Sequence, residues 1–142
     1  MMKKILLPID GSEACFKSYE YAKDLAEKFG AEILIFNAQN IMPAFGWSYE
    51  AISLNESENS PRETATKIVE EAKKFFANTN IKVSTKITVG DPAGAILDVA
   101  EKENCDMIIM CTHGMSRTKR FLLGSVTNKV VHHATIPVLV IR

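Results

Sequence analysis

Apolar residues along this chain fall into two alternating rhythms, short unbroken runs and longer stripes that recur every three or four positions. Lys4 to Ile9 is a run, as expected of a parallel strand covered on both faces. Asp10-Gly11-Ser12 then turns the chain. Ser12 is placed to cap a helix, and Ser18, Ala22, Leu25 and Phe29 form its inward stripe until Gly30 ends it. Ala31 to Ala38 predicts a second buried strand. Ser60-Pro61-Arg62-Glu63 is a capping box with proline at the first helical position, followed by a stripe of Ala65, Val69, Ala72 and Phe76. Ile81, Val83, Thr85 and Ile87 alternate with polar neighbours, which puts a third strand nearer a sheet edge. Asp91-Pro92 opens the next helix, with Ile96, Leu97 and Ala100 facing inward. Met107 to Met110 makes a fourth strand, Ser125 to Ala134 a fourth helix through Val126, Val130 and Val131, and Ile136 to Ile141 a last strand.

Strands that alternate with helices predict one α/β domain over residues 1–142, a doubly wound parallel sheet of five strands with right-handed crossovers and helices on both faces, Rossmann-like in plan. In such sheets ligands collect beyond the strand C-termini, where the strand order reverses. Gln39 to Asn59 carries no periodic pattern and is long for a connection in a compact domain, the usual form of a lid or contact surface. Its aromatic residues Phe45, Trp47 and Tyr49 weigh against simple disorder.

Composition narrows the function classes. Of 142 residues 46% are hydrophobic, enough for one substantial core. The 17 basic and 17 acidic side chains cancel, which argues against a general nucleic-acid or membrane-surface binder and makes any basic site local. Cys15, Cys105 and Cys111 form no C-x-x-C and leave one unpaired, so the chain reads as cytoplasmic, with Cys15 and Cys105 expected as small buried hydrophobes. The start MMKKILLPIDGS is too short an apolar run for a signal peptide or a membrane span.

The chemistry concentrates between Asp106 and Asn128. A buried strand opens into a loop at Gly114 and closes at Gly124-Ser125, just where a helix starts; the nine intervening residues include Arg117, Lys119 and Arg120. Free N–H groups at a helix N-terminus, its positive dipole end and bare glycine backbone make a seat for phosphate. Val126 and Thr127 supply the next N–H groups, although Ser125 would serve equally as an ordinary cap. The loop carries neither the P-loop signature nor G-x-G-x-x-G. Asp10, at the tip of the first strand, is either a turn residue or a carboxylate for ribose hydroxyls or an adenine amino group. His113, His132 and His133 have no carboxylate or cysteine at ligand spacing, so no metal site is expected, and neither Ser12 nor Ser125 has a recognisable base partner. His113 is a further candidate for the pocket lining.

The stretch resembles the universal stress protein family, whose ATP-binding members carry a glycine, two residues, a second glycine, nine residues, then glycine with Ser or Thr. Here Gly114, Gly124 and Ser125 fit, while Cys111 replaces the first glycine. LLPIDGS, VGDPAGAI and IPVLVIR extend the likeness over nearly the whole chain. The resemblance implies the strand order 3-2-1-4-5, which brings Asp10 and Gly114 to one crevice between the first and fourth strands. It implies ATP, carried with magnesium, as the ligand of a stress-response regulator, with at most weak hydrolysis. Carried over by position, the binding residues are Pro8, Ile9, Asp10, Ala38, Met110, Cys111, Gly114, Gly124, Ser125, Val126 and Thr127. A homodimer through the last strand is implied too, and that strand's apolar pattern on both faces points the same way. The competing expectation is a family member that has lost ATP binding and acts through dimerisation, which Cys111 favours by crowding the sugar. A phosphoacceptor receiver domain is excluded, since Asp10 stands without an acidic neighbour, and nucleotidyl transfer would want paired histidines near DGSEAC.

Overall fold

The computed structural model describes residues 1–40, 60–112 and 123–142. Five parallel strands, β1 (Lys4–Pro8), β2 (Glu32–Gln39), β3 (Val83–Val89), β4 (Met107–Cys111) and β5 (Val138–Ile141), form one sheet in the order β3-β2-β1-β4-β5. Four helices connect them among the described residues: α1 (Phe16–Phe29), α2 (Pro61–Lys74), α3 (Pro92–Lys102) and α4 (Ser125–His133). The unbroken runs of β1, β2 and β4 are explained by cover on both faces. Ile5, Leu7, Ile33, Ile35 and Ile109 meet Tyr19, Ala22 and Ala26 of α1 and Val69 and Ala72 of α2. The alternate residues Leu6, Leu34, Phe36, Ile108 and Met110 meet Ala93, Ile96 and Val99 of α3 and Val130 of α4. The alternating β3 is an edge strand, as its pattern predicts.

Helix starts follow the capping signals in two places. Ser60 accepts from the Glu63 N–H at the head of α2, and Asp91 from the Gly94 N–H at 2.8 Å at the head of α3. Other expectations need correction. Ser12 does not cap α1: its Oγ accepts no helix N–H and instead points at Cys15 Sγ at 3.6 Å, a short 3₁₀ turn (Glu13–Cys15) intervenes, and α1 begins at Phe16. Phe29 and Val131, placed in inward stripes, are exposed, and the helices bury Ala26 and Thr127 instead. The last strand starts at Val138 rather than Ile136, because Pro137 has no N–H to donate; only its carbonyl joins the ladder, accepting from Ile108 N–H at 2.9 Å. Phe76 lies beyond the end of α2 but remains buried, held by a tightened turn in which its N–H bonds the Lys73 carbonyl.

Candidate functional site

The sheet order reverses between β1 and β4, since β1 is followed in the chain by its neighbour on one side and β4 pairs on the other. Above the C-terminal tips at this point lies a cleft of about 390 Å³, within the range of small-ligand sites. Pro8, Ile9, Asp10, Ala38, Met110, Cys111, Gly124, Ser125, Val126 and Thr127 all line it. Ten of the eleven residues picked from the sequence therefore converge on one cavity. Gly114 lies outside the described residues, as do His113, Arg117, Lys119, Arg120 and the segment 41–59.

Each wall has a local cause. Gly11 adopts a left-handed φ of 82°, and an added Cβ there would stand 3.1 Å from Ile68 Cγ1, so only glycine makes this tight exit from β1. The turn presents Asp10 at the surface with Oδ1 bonded to Ser12 N–H; no hydrogen bond among the described residues engages Oδ2. The turn role and a binding role thus coexist on different oxygens. On the opposite wall Gly124 N–H donates to the Thr112 carbonyl at 2.9 Å, and Thr127 Oγ1 to the Cys111 carbonyl at 2.9 Å. These bonds fasten the base of the Thr112 to Gly124 loop and hold the head of α4 against the tip of β4. Gly124, not Ser125, is the N-cap; Ser125 is the first helical residue, and no side chain among the described residues caps this helix. α2 and α3 have their first N–H groups occupied by Ser60 and Asp91, whereas α4 opens its N-terminus onto the cleft.

Sequence reasoning missed Phe36, Asn37, Pro92, Ile96 and Thr112 in the lining. Asn37 carried a signal, a buried polar residue in the otherwise apolar EILIF run of β2. Its Nδ2 donates to the Ile9 carbonyl at 2.6 Å and its Oδ1 accepts from Gln39 Nε2 at 2.7 Å, which ties the tips of β1 and β2 together.

The cysteines differ most from expectation. Cys105 is the buried hydrophobe predicted, and desolvation pushes its thiol up to about 11. Cys15 is also buried, but its sulfur meets that of Cys111 as a disulfide, with the Cα atoms 5.5 Å apart, an ordinary separation for such a bond. Cys15 Sγ lies 3.2 Å from Asp10 Oδ1. The ligand atoms of Asp10, Cys15 and Cys111 all fall within 4.8 Å of one another. Nothing in the spacing of these residues announced the cluster.

Compared with known proteins, residues 1–142 match the Universal stress protein family. The chain belongs to that family. It is 32% identical to universal stress protein MJ0531 of Methanocaldococcus jannaschii, over all of this chain and 83% of that protein. Among solved structures of the family fold it resembles hypothetical protein MJ0577, at 33% identity and a TM-score of 0.81, covering 99% of this chain and 96% of that one. An Arabidopsis thaliana family protein solved with AMP bound shares the fold at 20% identity and a TM-score of 0.71, covering 98% and 90%. No described helix is long and apolar enough to cross a membrane.

Proposed function

We propose that this universal stress protein is an ATP-binding regulator of the cytoplasm, with the nucleotide in the cleft between the tips of β1 and β4. The observation that carries the reading is the uncapped head of α4. Ser125, Val126 and Thr127, whose N–H groups take no side-chain cap among the described residues, line the same cavity as Asp10, so one end of the cleft suits an anion and the other suits hydroxyl or amino donors. The apolar surfaces of Pro8, Ile9, Ala38 and Met110 between them suit a flat base. The AMP carried by the Arabidopsis relative is consistent with a purine nucleotide in this place. Magnesium would travel with the triphosphate. A thermal melt tests the reading: Mg-ATP at a hundred times its dissociation constant adds about 2.7 kcal/mol of stability, and Mg-GTP adds less. A melt unmoved by millimolar Mg-ATP contradicts it.

The working unit in this reading is a homodimer through β5. That strand is a sheet edge whose outer side pairs with no other described strand, and Val140 is not fully covered. Pairing two copies about a two-fold axis satisfies the open backbone groups. Val138 packs against the α3–α4 layer, so Val140→Lys is the cleaner probe. It yields a monomer by sedimentation; a wild-type monomer overturns the pairing. Cys111 in the lining favours a second reading, a dimeric family member without nucleotide.

A further inference from the structure

We propose that Cys15 and Cys111 form a reversible dithiol–disulfide centre on the wall of the cleft, closed by a peroxide, and that closure tightens nucleotide binding. The second half rests on the function proposed above. Three observations bring the idea together. The two cysteines come from the turn after β1 and the last residue of β4, so their bond spans the crevice at which the sheet order reverses. Cys111 is partly exposed at the cleft, within reach of a small oxidant, whereas Cys15 is fully buried behind it and placed to resolve the product. Asp10 Oδ1 stands 3.2 Å from Cys15 Sγ and serves as acceptor for the thiol proton.

The chemistry balances without a metal or a cofactor. The Cys111 thiol loses its proton, the thiolate attacks one oxygen of the peroxide, the O–O bond breaks, and a sulfenic acid forms while the departing hydroxide takes that proton and leaves as water. Cys15 then gives its proton through Asp10, its sulfur attacks the sulfenic sulfur, the S–O bond breaks and a second water leaves. Two thiols lose two electrons to one peroxide. A small-molecule thiol or thioredoxin-type dithiol reverses the process by exchange.

Closure acts on the ligand through Asp10 and through the position of sulfur. As a thiol, Cys15 donates to Asp10 Oδ1 and draws charge from the carboxylate, weakening Oδ2 as an acceptor for a ligand hydroxyl; as a disulfide it has no proton to give. The bond also holds the Cys111 sulfur toward the α1 layer, where Cys111 packs with Ile109 and Cys15, and away from the Met110 side of the sheet. Removing that hydrogen bond from the carboxylate corresponds to about tenfold in affinity.

The test uses the whole chain, freed of metal by a chelator, with hydrogen peroxide as oxidant and dithiothreitol as reductant. After quenching, denaturation and alkylation, intact mass counts free thiols: the reduced protein takes three labels, the peroxide-treated protein only the Cys105 label, and dithiothreitol restores the rest. ATP titrated into both forms binds about tenfold tighter to the oxidised one. Cys15→Ser abolishes the difference between peroxide-treated and reduced samples. Three labels after peroxide, oxidation that dithiothreitol does not reverse, or a tightly held zinc ion that shields both sulfurs would each overturn the centre. A bond that forms and leaves ATP affinity unchanged would overturn the coupling. A bond that forms in a protein binding no nucleotide in either state would overturn the proposed function and the coupling together, with the cross-link itself upheld.

Discussion

The two ends of the parallel sheet are built on opposite plans. At the N-terminal end charge is spent on closure. Asp106 Oδ2 accepts from the Lys3 and Lys4 N–H groups at 2.7 and 2.9 Å, stitching β4 to β1, and Glu32 takes Lys4 at 3.0 Å and Lys82 at 2.9 Å across the start of β2. Glu103 adds Lys86 at 2.5 Å and Lys4 at 3.8 Å. At the C-terminal end no ion pair among the described residues reaches the cleft, α4 presents its N–H groups without a side-chain cap, and Asp10 keeps an oxygen open. The cysteines repeat the contrast. Cys105, near the closed end, is held as an unreactive thiol by burial, while Cys15 and Cys111 meet at the open one. The same strands thus fix the fold at one end and leave polar groups open at the other, the end at which sheets of this kind take ligands.

Substitutions at the two ends should therefore separate ligand response from stability. The largest effect is expected at the open end. Gly124→Val, at an ordinary φ of −56°, leaves the free protein folded but places a side chain against the approach to the α4 N–H groups. It removes the whole ATP-induced gain of about 2.7 kcal/mol at a hundredfold excess, and an unchanged shift would put the phosphates elsewhere. Next, Gly11→Val forces a β-branched residue into φ 82° against Ile68 and costs about 2 kcal/mol of stability by denaturant melt. Asp106→Asn, at the closed end, weakens two hydrogen bonds to backbone N–H and costs about 1 kcal/mol with ATP affinity unaltered. A change in affinity there would break the division between the ends.

The smallest effects come from pH and salt, and they also belong to the closed end. The Lys3 and Lys4 N–H groups hold the Asp106 carboxyl below its ordinary 3.8; Lys82, then Lys4, holds Glu32 below 4.5, and Lys86 holds Glu103 below 4.5. A carboxyl with a depressed folded value contributes stability that is fully present above its unfolded value and lost as pH falls through the folded one. Stability should be level above about pH 5 and fall below pH 4.5, and Asp106→Asn should flatten that fall. Glu32→Gln costs about 0.5 kcal/mol at low salt and less at high salt, since its partners are largely solvated.

Much of this division was legible in the sequence because it rests on signals that act locally. The apolar runs of β1, β2 and β4 needed no tertiary information beyond cover on both faces, and Ser60 and Asp91 announced α2 and α3 through caps that the structure retains. The lining of the cleft was legible through the spacing of Gly124 and Ser125 and the lone acid at the tip of the first strand. What stayed hidden depends on turns at the ends of elements and on contacts between distant segments. Ser12 looked like a cap until a 3₁₀ turn set its Oγ toward Cys15, Phe29 looked inward until α1 packed through Ala26, and Ile136 looked like strand until Pro137 withheld a donor. The meeting of Cys15 and Cys111 spans 96 residues and follows only from placing β4 beside β1.

The central claim is that the open end holds an adenine nucleotide, and the most direct check is mass analysis of the small molecule released when gently purified protein is denatured. The wild-type chain should release an adenine nucleotide and Gly124→Val none. A wild-type chain that releases no nucleotide, or a variant that releases as much as the wild type, would contradict it.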